Sequence, residues 1–447
     1  MTIDSLERQI NGANAPLMRP RIALVDPYST AAQTAGALAD HGAETVAVLA
    51  NPDPTAAAHR PAFAPSDYTH VHTVRGGIAN TVNTLAALGV TGVMAGCESG
   101  VALADQLARA LGLRGNDPAT SSARRDKSAM ARALRAVGLA HPRTFAAANV
   151  REARRAVEMI GAWPVVLKPV ASSGSDQVVF ARSMAEVDRA AVAILGSRDV
   201  FGHANPAVLC QQYVSGTQFA VNTVSRSGMH RLAEVWQDTR TGTAAHRMIY
   251  DRMELLRPED QRIPDLFAYV ARCLDALGIA EGPAHSEVVL TISGPVLIET
   301  GARLQGGDCV RLQREASGSS HTDIAVEALL GEIRRGRRPS AHYPYRKPVT
   351  QLFLQAPRDA MIGPAEALDA LLAIPGVAGL VRPLRPGAAA PETVDLLTSP
   401  GTVYVTGRER KNVQSTCEQI RRLEAAGLYA AATDRTAPGT VAVMEAA

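Results

Sequence analysis

The chain contains very little lysine. Of its 46 basic residues only four are lysines, namely Lys127, Lys168, Lys347 and Lys411. Because arginine supplies positive charge almost everywhere else, each lysine is a candidate for a role that needs a compact ammonium, such as binding phosphate. The formal net charge is only +3, and no Lys/Arg-rich block with interleaved aromatics occurs. We therefore expect a small-molecule ligand and no nucleic-acid partner.

Metal-binding cysteine patterns and long apolar segments are also missing. The five cysteines lie far apart, without CxxC or Cys/His spacing, so reduced thiols are the simplest interpretation. No uninterrupted apolar run reaches about 18 residues, and the first twenty residues contain no apolar signal-peptide core. We expect a cytoplasmic protein without a membrane partner. At 447 residues the chain is long enough for two to four domains.

The N-terminal part alternates short apolar runs with helical patterns. Strands are predicted over 21–25, 45–49 and 92–95, and helices over 30–40, 78–88 and 101–111. This βαβαβα order predicts a small parallel sheet with helices on both faces. No GxGxxG motif follows the first strand, so a dinucleotide site is not expected.

The rest of the chain mixes helices with runs of strands. Helices are predicted over 122–137, 150–160, 184–195 and 265–277, and strands dominate from 207 to 236. Beyond residue 339 the spacing becomes Pro-rich and irregular, with strands at 352–355 and 401–405 and a helix over 413–426. We therefore place domains at 1–115, 116–340 and 341–447, the first being α/β and the last α+β.

Two glutamates near residue 290 carry the strongest functional signal. The segment from His285 to Glu299 is two β-branched, apolar runs joined by a turn around Ser293, which predicts a β-hairpin. If the pairing is symmetric about Ser293, Glu287 and Glu299 lie opposite each other, with Cβ atoms roughly 4.5 to 5.5 Å apart. A bridging Mg²⁺ would remove the repulsion between them, and the alternative is a solvated pair on an exposed sheet face.

A second signal surrounds Lys168. A predicted strand ends at this lysine, a Ser/Gly loop containing Ser172, Ser173, Gly174 and Ser175 follows, and a second strand returns. Backbone N–H groups of such a loop can bind phosphate oxygens, although an ordinary hairpin turn is the alternative. The Walker A pattern GxxxxGK[ST] is absent. Lys127 is either a further phosphate ligand or a solvated helix charge.

Two further segments could complete a nucleotide and substrate site. The strand containing Gln211, Gln212, Tyr213 and Val214 can offer main-chain groups and a packing surface to adenine, or can be a core strand. Arg303 follows the second glutamate and could bind a carboxylate or a transferring phosphoryl group. The glycines at 306 and 307 permit close approach of a ligand to the backbone.

These motifs occur in a characteristic order. Along the chain they are Lys127, Lys168 with its loop, 211–214, Glu287, Glu299 and Arg303. The order strongly resembles the ATP-grasp carboxylate-amine ligases, most closely the branch that contains L-amino acid ligases, or dipeptide synthetases. The segments 282–287 and 294–307 look like the metal and phosphate signature of that branch. The resemblance covers about residues 20 to 430.

The resemblance implies an architecture and a set of roles. It implies an N-terminal parallel domain, a mobile lid subdomain over about 145–214, a central mixed-sheet domain and a C-terminal α+β domain. The implied nucleotide-binding residues are Lys127, Lys168, Ser172, Ser173, Gly174, Ser175, Gln211, Gln212, Tyr213, Val214 and Gln218. Glu287 and Glu299 would bind Mg²⁺. Lys168 and Arg303 would act in catalysis, and Arg303, Gly306, Gly307, His285 and Glu98 would contact substrate.

The implied reaction joins a carboxylate to an amine at the expense of ATP, through an acyl-phosphate, with an amino acid as one substrate, in small-molecule or natural-product biosynthesis. Gln212, Gln218 and Asn222 depart from the family where acids are common, but amides can still hydrogen-bond adenine or ribose. The alternatives are a ligase or carboxylase acting on another acid, and a nucleotide-binding module without turnover. A homodimer is a further possibility.

Overall fold

The computed structural model describes residues 19–50, 63–172, 174–200, 202–242, 248–331, 343–381 and 383–431. Ser173, predicted in the phosphate-binding loop, lies outside the described residues. No helix in these ranges is both long enough and apolar enough to cross a membrane.

The N-terminal unit is a four-stranded parallel sheet. Its strands are β1 (Arg21–Val25), β2 (Glu44–Leu49), β3 (His70–Thr73) and β4 (Gly92–Ala95), in the order β3-β2-β1-β4. The helices are α1 (Thr34–Asp40), α2 (Ile78–Ala87) and α3 (Val101–Ala110). Alternate residues of β1 enter different core clusters, Ala23 in one and Ile22 in the other, because helices cover both faces. The parallel sheet is confirmed, with one strand more than predicted.

The predicted helix over 122–137 is two helices. A 3-10 helix covers Pro118–Arg124, and α4 (Lys127–Ala136) begins after Asp126. The Asp126 carboxylate accepts hydrogen bonds from the backbone N–H groups of Ser128 (2.7 Å) and Ala129 (3.0 Å), which caps the new helix. The cap places Lys127 in the first turn of α4, facing the central hairpin.

A small antiparallel sheet follows. Its strands are β5 (Thr144–Ala147), β6 (Val165–Pro169), β7 (Val179–Ala181) and β8 (Val208–Gln212), in the order β5-β8-β6-β7. Two helices, α5 (Val150–Ile160) and α6 (Met184–Leu195), cover one face and match their predicted ranges. Ile160, Leu167 and Ile194 belong to a separate core cluster beneath these helices. This unit corresponds to the predicted lid, whose boundaries stay a prediction.

The remaining elements form a large central sheet with a smaller one beside it. Strands β9 to β19 are, in order, Thr217–Arg226, Met229–Gly242, Met248–Leu255, Gly282–Thr291, Gly294–Gly301, Val349–Phe353, Ala360–Ile362, Val377–Leu380, Ala389–Ala390, Thr402–Thr406 and Tyr429–Ala431. Helices α7 to α11 are Ile263–Ala276, Val310–Ser317, His321–Leu330, Ala365–Ala373 and Arg410–Leu423. The predicted C-terminal helix over 413–426 thus ends earlier, and a π-helical turn, Glu424–Leu428, follows it.

The large sheet has eight strands in the order β13-β12-β9-β10-β11-β14-β18-β16. A mixed sheet was expected here, but all of its described pairs are antiparallel, and the parallel pairs lie in the N-terminal sheet. Strand β14, beyond the predicted boundary near residue 340, pairs directly with β11. The central sheet therefore joins the two predicted domains, and the two glutamates lie at its β12–β13 edge.

Candidate active site

The acidic hairpin has the predicted glutamate pair but a different turn. Thr291 pairs with Gly294, so the turn consists of Ile292 and Ser293. That register alone would place Glu287 opposite Ile298. A bulge between Glu287 and Val288 leaves Ile298 unpaired and restores the alignment, so that Glu287 pairs with Glu299. Both carboxylates consequently project from the same face of the sheet.

Two lysines converge on Glu299. The Lys127 Nζ lies 3.1 Å and the Lys168 Nζ 3.9 Å from Glu299 Oε2, and both lysines are buried. Burial opposes ionisation of Glu299, but the two ammoniums outweigh it and lower its pKa to about 2. Burial lowers the pKa of Lys168 to about 8, although Glu299 opposes that shift. The two lysines singled out by their rarity therefore share one carboxylate.

Glu287 has a different environment from its partner. Burial, and then the charge of Glu299, raise the pKa of Glu287 to about 7. Gln218 Nε2 donates a 2.8 Å hydrogen bond to Glu287 Oε2, and Arg240 Nη2 lies 3.6 Å from the same oxygen. Gln218 is predicted to contact the nucleotide, and in the structure it orients this carboxylate.

Arg240 was not predicted as a site residue. Its Nε donates to Asp238 Oδ2 (2.9 Å) and its Nη2 to the Tyr250 hydroxyl (2.9 Å), and it stacks 4.2 Å from the Tyr250 ring centroid. Burial opposes the charge on Arg240, but Tyr250, Asp238 and Glu287 outweigh it and raise its pKa. In a chain this rich in arginine, no residue count distinguishes Arg240. Its place on β10 across the sheet from Glu287 could be found only from strand order.

The described residues of the Ser/Gly loop contact Lys127. Lys127 Nζ donates to the Ser172 carbonyl oxygen at 3.1 Å, and Ser172 Oγ donates to Asp176 Oδ2 at 2.8 Å. Gly174 and Ser175 both have positive φ, at 71° and 61°. A Cβ on Gly174 would lie 3.3 Å from the Leu397 side chain, so glycine lets the loop approach the C-terminal region.

A cavity of about 380 Å³ lies between the lid sheet and the hairpin. The predicted nucleotide-binding residues that line it are Lys127, Lys168, Ser172, Ser175, Gln211, Gln212, Tyr213, Val214 and Gln218. Tyr213 meets Phe180 edge to face, with centroids 5.9 Å apart. The Gln212 side chain is engaged by Arg143, whose Nε donates to Gln212 Oε1 at 3.2 Å. One end of this first cavity is therefore apolar and aromatic, and the other is charged.

A second cavity, of about 230 Å³, adjoins the first. It is lined by all five predicted substrate residues, namely Glu98, His285, Arg303, Gly306 and Gly307, and by Gly174 of the Ser/Gly loop. The two cavities share Gln218, Asp238, Glu287 and Glu299. The glutamate pair thus lies at the junction of the two cavities.

Arg303 is held by the N-terminal domain. Its Nε donates to Glu98 Oε2 at 3.1 Å, and Arg125 Nε lies 3.8 Å from the other Glu98 oxygen. A Cβ on Gly301 would lie 2.7 Å from Glu98 Oε2, so a larger residue at 301 would displace this carboxylate. The backbone N–H of Gly307 donates to Ser29 Oγ at 3.1 Å. Residues of the first and third domains as predicted therefore meet the hairpin around this cavity.

Known proteins share this chain's sequence and fold. A family described as the ATP-grasp domain matches residues 161–311. Dapdiamide A synthase of Enterobacter agglomerans is 33% identical over 371 residues, which are 81% of this chain and 86% of that protein. The chain belongs to the ATP-grasp carboxylate-amine ligases.

Solved structures agree on the fold of this ATP-grasp ligase. The L-amino acid ligase of Bacillus licheniformis has a TM-score of 0.70 at 16% identity, covering 92% of this chain and 99% of that one. The biotin carboxylase domain of Hydrogenobacter thermophilus 2-oxoglutarate carboxylase, solved as a dimer with ADP, its magnesium salt and bicarbonate, has a TM-score of 0.61 at 14% identity, covering 92% and 90%. The enzyme is an ATP-dependent ligase that forms amide bonds.

The donor set of this ligase fits a magnesium ion held partly by phosphate. Within the described residues no group of three or more His, Cys, Asp or Glu side chains could enclose a metal. Glu287 and Glu299, a half-buried pair of carboxylates, are the kind of one- or two-carboxylate set that Mg²⁺ takes when phosphates and water supply its other ligands. The lysines next to Glu299 would meet the same phosphates.

Asn222 is placed differently from its expectation in this ligase. It is fully buried and lines neither cavity, so it is not available to adenine or ribose. Its Oδ1 accepts from His285 Nδ1 at 2.8 Å, and its Nδ2 donates to Glu234 (2.7 Å) and Gln305 (2.8 Å). Burial, and then Arg303, lower the pKa of His285 to about 3. Asn222 therefore orients a neutral His285 toward the second cavity.

Proposed function

We propose that this ligase uses ATP and Mg²⁺ to phosphorylate a carboxylic acid bound in the second cavity, and then joins the acyl group to an amine. At least one of the two substrates is an α-amino acid. The observation that carries the proposal is the glutamate pair at the junction of the two cavities, with lysines on one side and Arg303 on the other.

The first step is a phosphoryl transfer. A substrate carboxylate oxygen attacks the γ-phosphorus of ATP, the bond to the bridging oxygen breaks, and ADP leaves. Such a transfer depends on positioning and charge neutralisation more than on a protein nucleophile. Lys127 and Lys168 would hold the phosphates, and Mg²⁺ held by Glu287 and Glu299 would supply further neutralising charge.

The second step forms the amide. The amine nitrogen attacks the acyl carbon, phosphate leaves with the C–O bond electrons, and the nitrogen loses a proton. Arg303 lies where it can stabilise negative charge on the acyl-phosphate oxygens, because its guanidinium lines the second cavity beside the glutamate pair. Glu98 orients this arginine, and the backbone around Gly306 and Gly307 forms part of the wall.

Two supports favour an amino acid as substrate. The 33%-identical relative is a synthase of a dapdiamide, and a structural neighbour is an L-amino acid ligase. The second cavity also offers both an arginine and a carboxylate, Arg303 and Glu98, which suit the two charged groups of an amino acid. Dimerisation and a cytoplasmic location stay predictions.

Phosphate release across pairs of amino acids tests the proposal. The protein is incubated with ATP and Mg²⁺ and every pair of the standard amino acids, and products are identified by mass spectrometry. We expect ADP and phosphate only when a reactive acid is present, and a condensed product when a matching amine is added. Turnover with another carboxylic acid but with no amino acid would refute the substrate class, and ATP hydrolysis that ignores every added acid and amine would refute the mechanism.

A further inference from the structure

The second cavity extends beyond the charged centre to an uncharged end built by the C-terminal strands. We call this the C-terminal end of the cavity, and its residues are Gln351, Phe353, Val381, Leu396, Leu397 and Thr402. None of these six side chains carries a charge. A charged group moved here from water would lose its hydration without an ionic partner, which is costly.

Gln351 presents a free acceptor at this end. Its Nε2 donates to Asp308 Oδ1 and to the Tyr404 hydroxyl, both at 2.8 Å, and these two acceptors fix the orientation of the amide. Its Oε1 accepts no hydrogen bond from a described residue, yet it is not among the buried atoms that lack a partner. The side chain is 2% exposed and lines the cavity, so Oε1 faces the space in which a ligand would lie.

Thr402 supplies a hydroxyl on the same wall. Gln351 pairs with Tyr404 and Phe353 pairs with Thr402, which makes Gln351 and Thr402 diagonal neighbours on one sheet face. The Thr402 hydroxyl has no hydrogen-bond partner among the described residues and, like Gln351 Oε1, is absent from the fully buried atoms without one. An acceptor and a donor therefore flank one gap beside the Phe353 ring.

The acid that also lines this region, Asp308, does not change the character of the wall. Its Oδ1 accepts from Gln351 and from Gln305 Nε2 at 3.2 Å, whereas its Oδ2 is buried without a hydrogen-bond partner among the described residues. Burial raises the pKa of the Asp308 carboxyl group well above its ordinary value, which favours the uncharged form, so the wall stays free of charge.

We infer that the C-terminal end of the second cavity binds the side chain of one substrate through an uncharged carboxamide. The carboxamide N–H would donate to Gln351 Oε1, its C=O would accept from the Thr402 hydroxyl, and the methylenes would pack on Phe353 and Leu397. This inference deepens the proposed function and rests on the second cavity receiving the acid or the amine. It assigns substrate selection to strands β14 and β18, far in sequence from the motif residues.

Binding and turnover of amino acids matched in shape test the inference separately. Glutamine, glutamate and methionine form one series, and asparagine, aspartate and leucine the other. Calorimetry uses the full chain with Mg²⁺ and a non-hydrolysable ATP analogue, and turnover is followed as phosphate release. In at least one series we expect the amide to bind about tenfold more tightly than the apolar analogue, and the acid to bind most weakly.

Variants of Thr402 connect this preference to the wall. Thr402→Val keeps the side-chain shape and should reduce the preference for amide over apolar analogue to near unity, with binding of the apolar analogue retained. Thr402→Ser should keep the preference, and Thr406→Val, on the same strand but outside the cavity, should not alter it. A preference for the charged or apolar analogue, no binding in either series, or an unchanged preference in Thr402→Val would overturn the inference. If the amide binds with this preference but supports no phosphate release with any added acid or amine, the subsite stands and the proposed function fails.

Discussion

Glu287 and Glu299 lie opposite each other because Ile298 is left unpaired between them and the hairpin turn. Side chains alternate between the two faces of a strand, so a regular ladder from the same turn would send the two carboxylates to opposite faces. A single unpaired residue thus creates the like-charged pair.

The first prediction concerns this pair. Glu299→Gln keeps the side-chain shape but removes the charge that meets both lysines, so ADP formation at saturating acid and amine should fall on the order of 10² or more. Steady-state phosphate release measures the loss. Glu281→Gln, at the start of the same hairpin but outside both cavities, is the matched control and should retain activity. Turnover of Glu299→Gln close to that of wild type in excess Mg²⁺ would contradict the metal assignment.

The second prediction uses the shape of lysine. Lys168 is 6% exposed and lines the first cavity together with Ser172 and Ser175. The extended guanidinium of an arginine is larger than the compact ammonium that fits this position. Lys168→Arg should therefore weaken ATP binding by about tenfold or more, as measured by calorimetry, with an unchanged circular dichroism spectrum.

Lys411→Arg is the control for that change, because the Lys411 side chain is 77% exposed and lies outside the site. Equal ATP affinity in the two variants would assign Lys168 a purely structural role.

The third prediction separates nucleotide binding from amide formation. Arg303 lines the second cavity but not the first. Arg303→Ala should leave ATP affinity within about twofold of wild type, while the rate of product formation falls by about 10² or more. Arg311→Ala removes an exposed arginine nearby and should affect neither quantity. Loss of ATP binding in Arg303→Ala would show that this arginine acts on the nucleotide.

The fourth prediction concerns pH and stability. Burial raises the pKa of Glu234 to about 7, above its unfolded value of 4.5, so the folded state holds a proton that the unfolded state releases. The corresponding stability is present below pH 4.5 and is lost as the pH rises through 7. Glu234→Gln should therefore show a smaller decrease in the free energy of unfolding between pH 5 and about 8.

Denaturant unfolding at several pH values measures that difference. Part of the decrease should persist in the variant, because burial also raises the pKa of Asp308. An identical pH slope in wild type and Glu234→Gln would show that Glu234 is ionised in the folded protein.

Local sequence patterns determined the elements whose own periodicity is strong. Helices α5 and α6 match their predicted ranges, and the predicted hairpin between 285 and 299 forms with Glu287 opposite Glu299. Strand β3 was missed because its segment, His-Val-His-Thr, is short and polar, and only pairing with β2 makes it a strand. The helix over 122–137 was too long because the Asp126 cap was overlooked.

Tertiary structure alone decided which distant residues complete the site. Arg240 reaches Glu287 across neighbouring strands, Glu98 reaches Arg303 from another sheet, and Asn222 faces His285 because β9 pairs with β12. Hydrophobic periodicity specifies which face of a strand is buried, but it carries no information on which strands become neighbours. The amino-acid sequence by itself therefore predicted the candidate ATP-binding and metal-binding motifs. Strand order in the central sheet brought Gln351 and Thr402 to the second cavity, because that contact depends on pairing between segments about fifty residues apart.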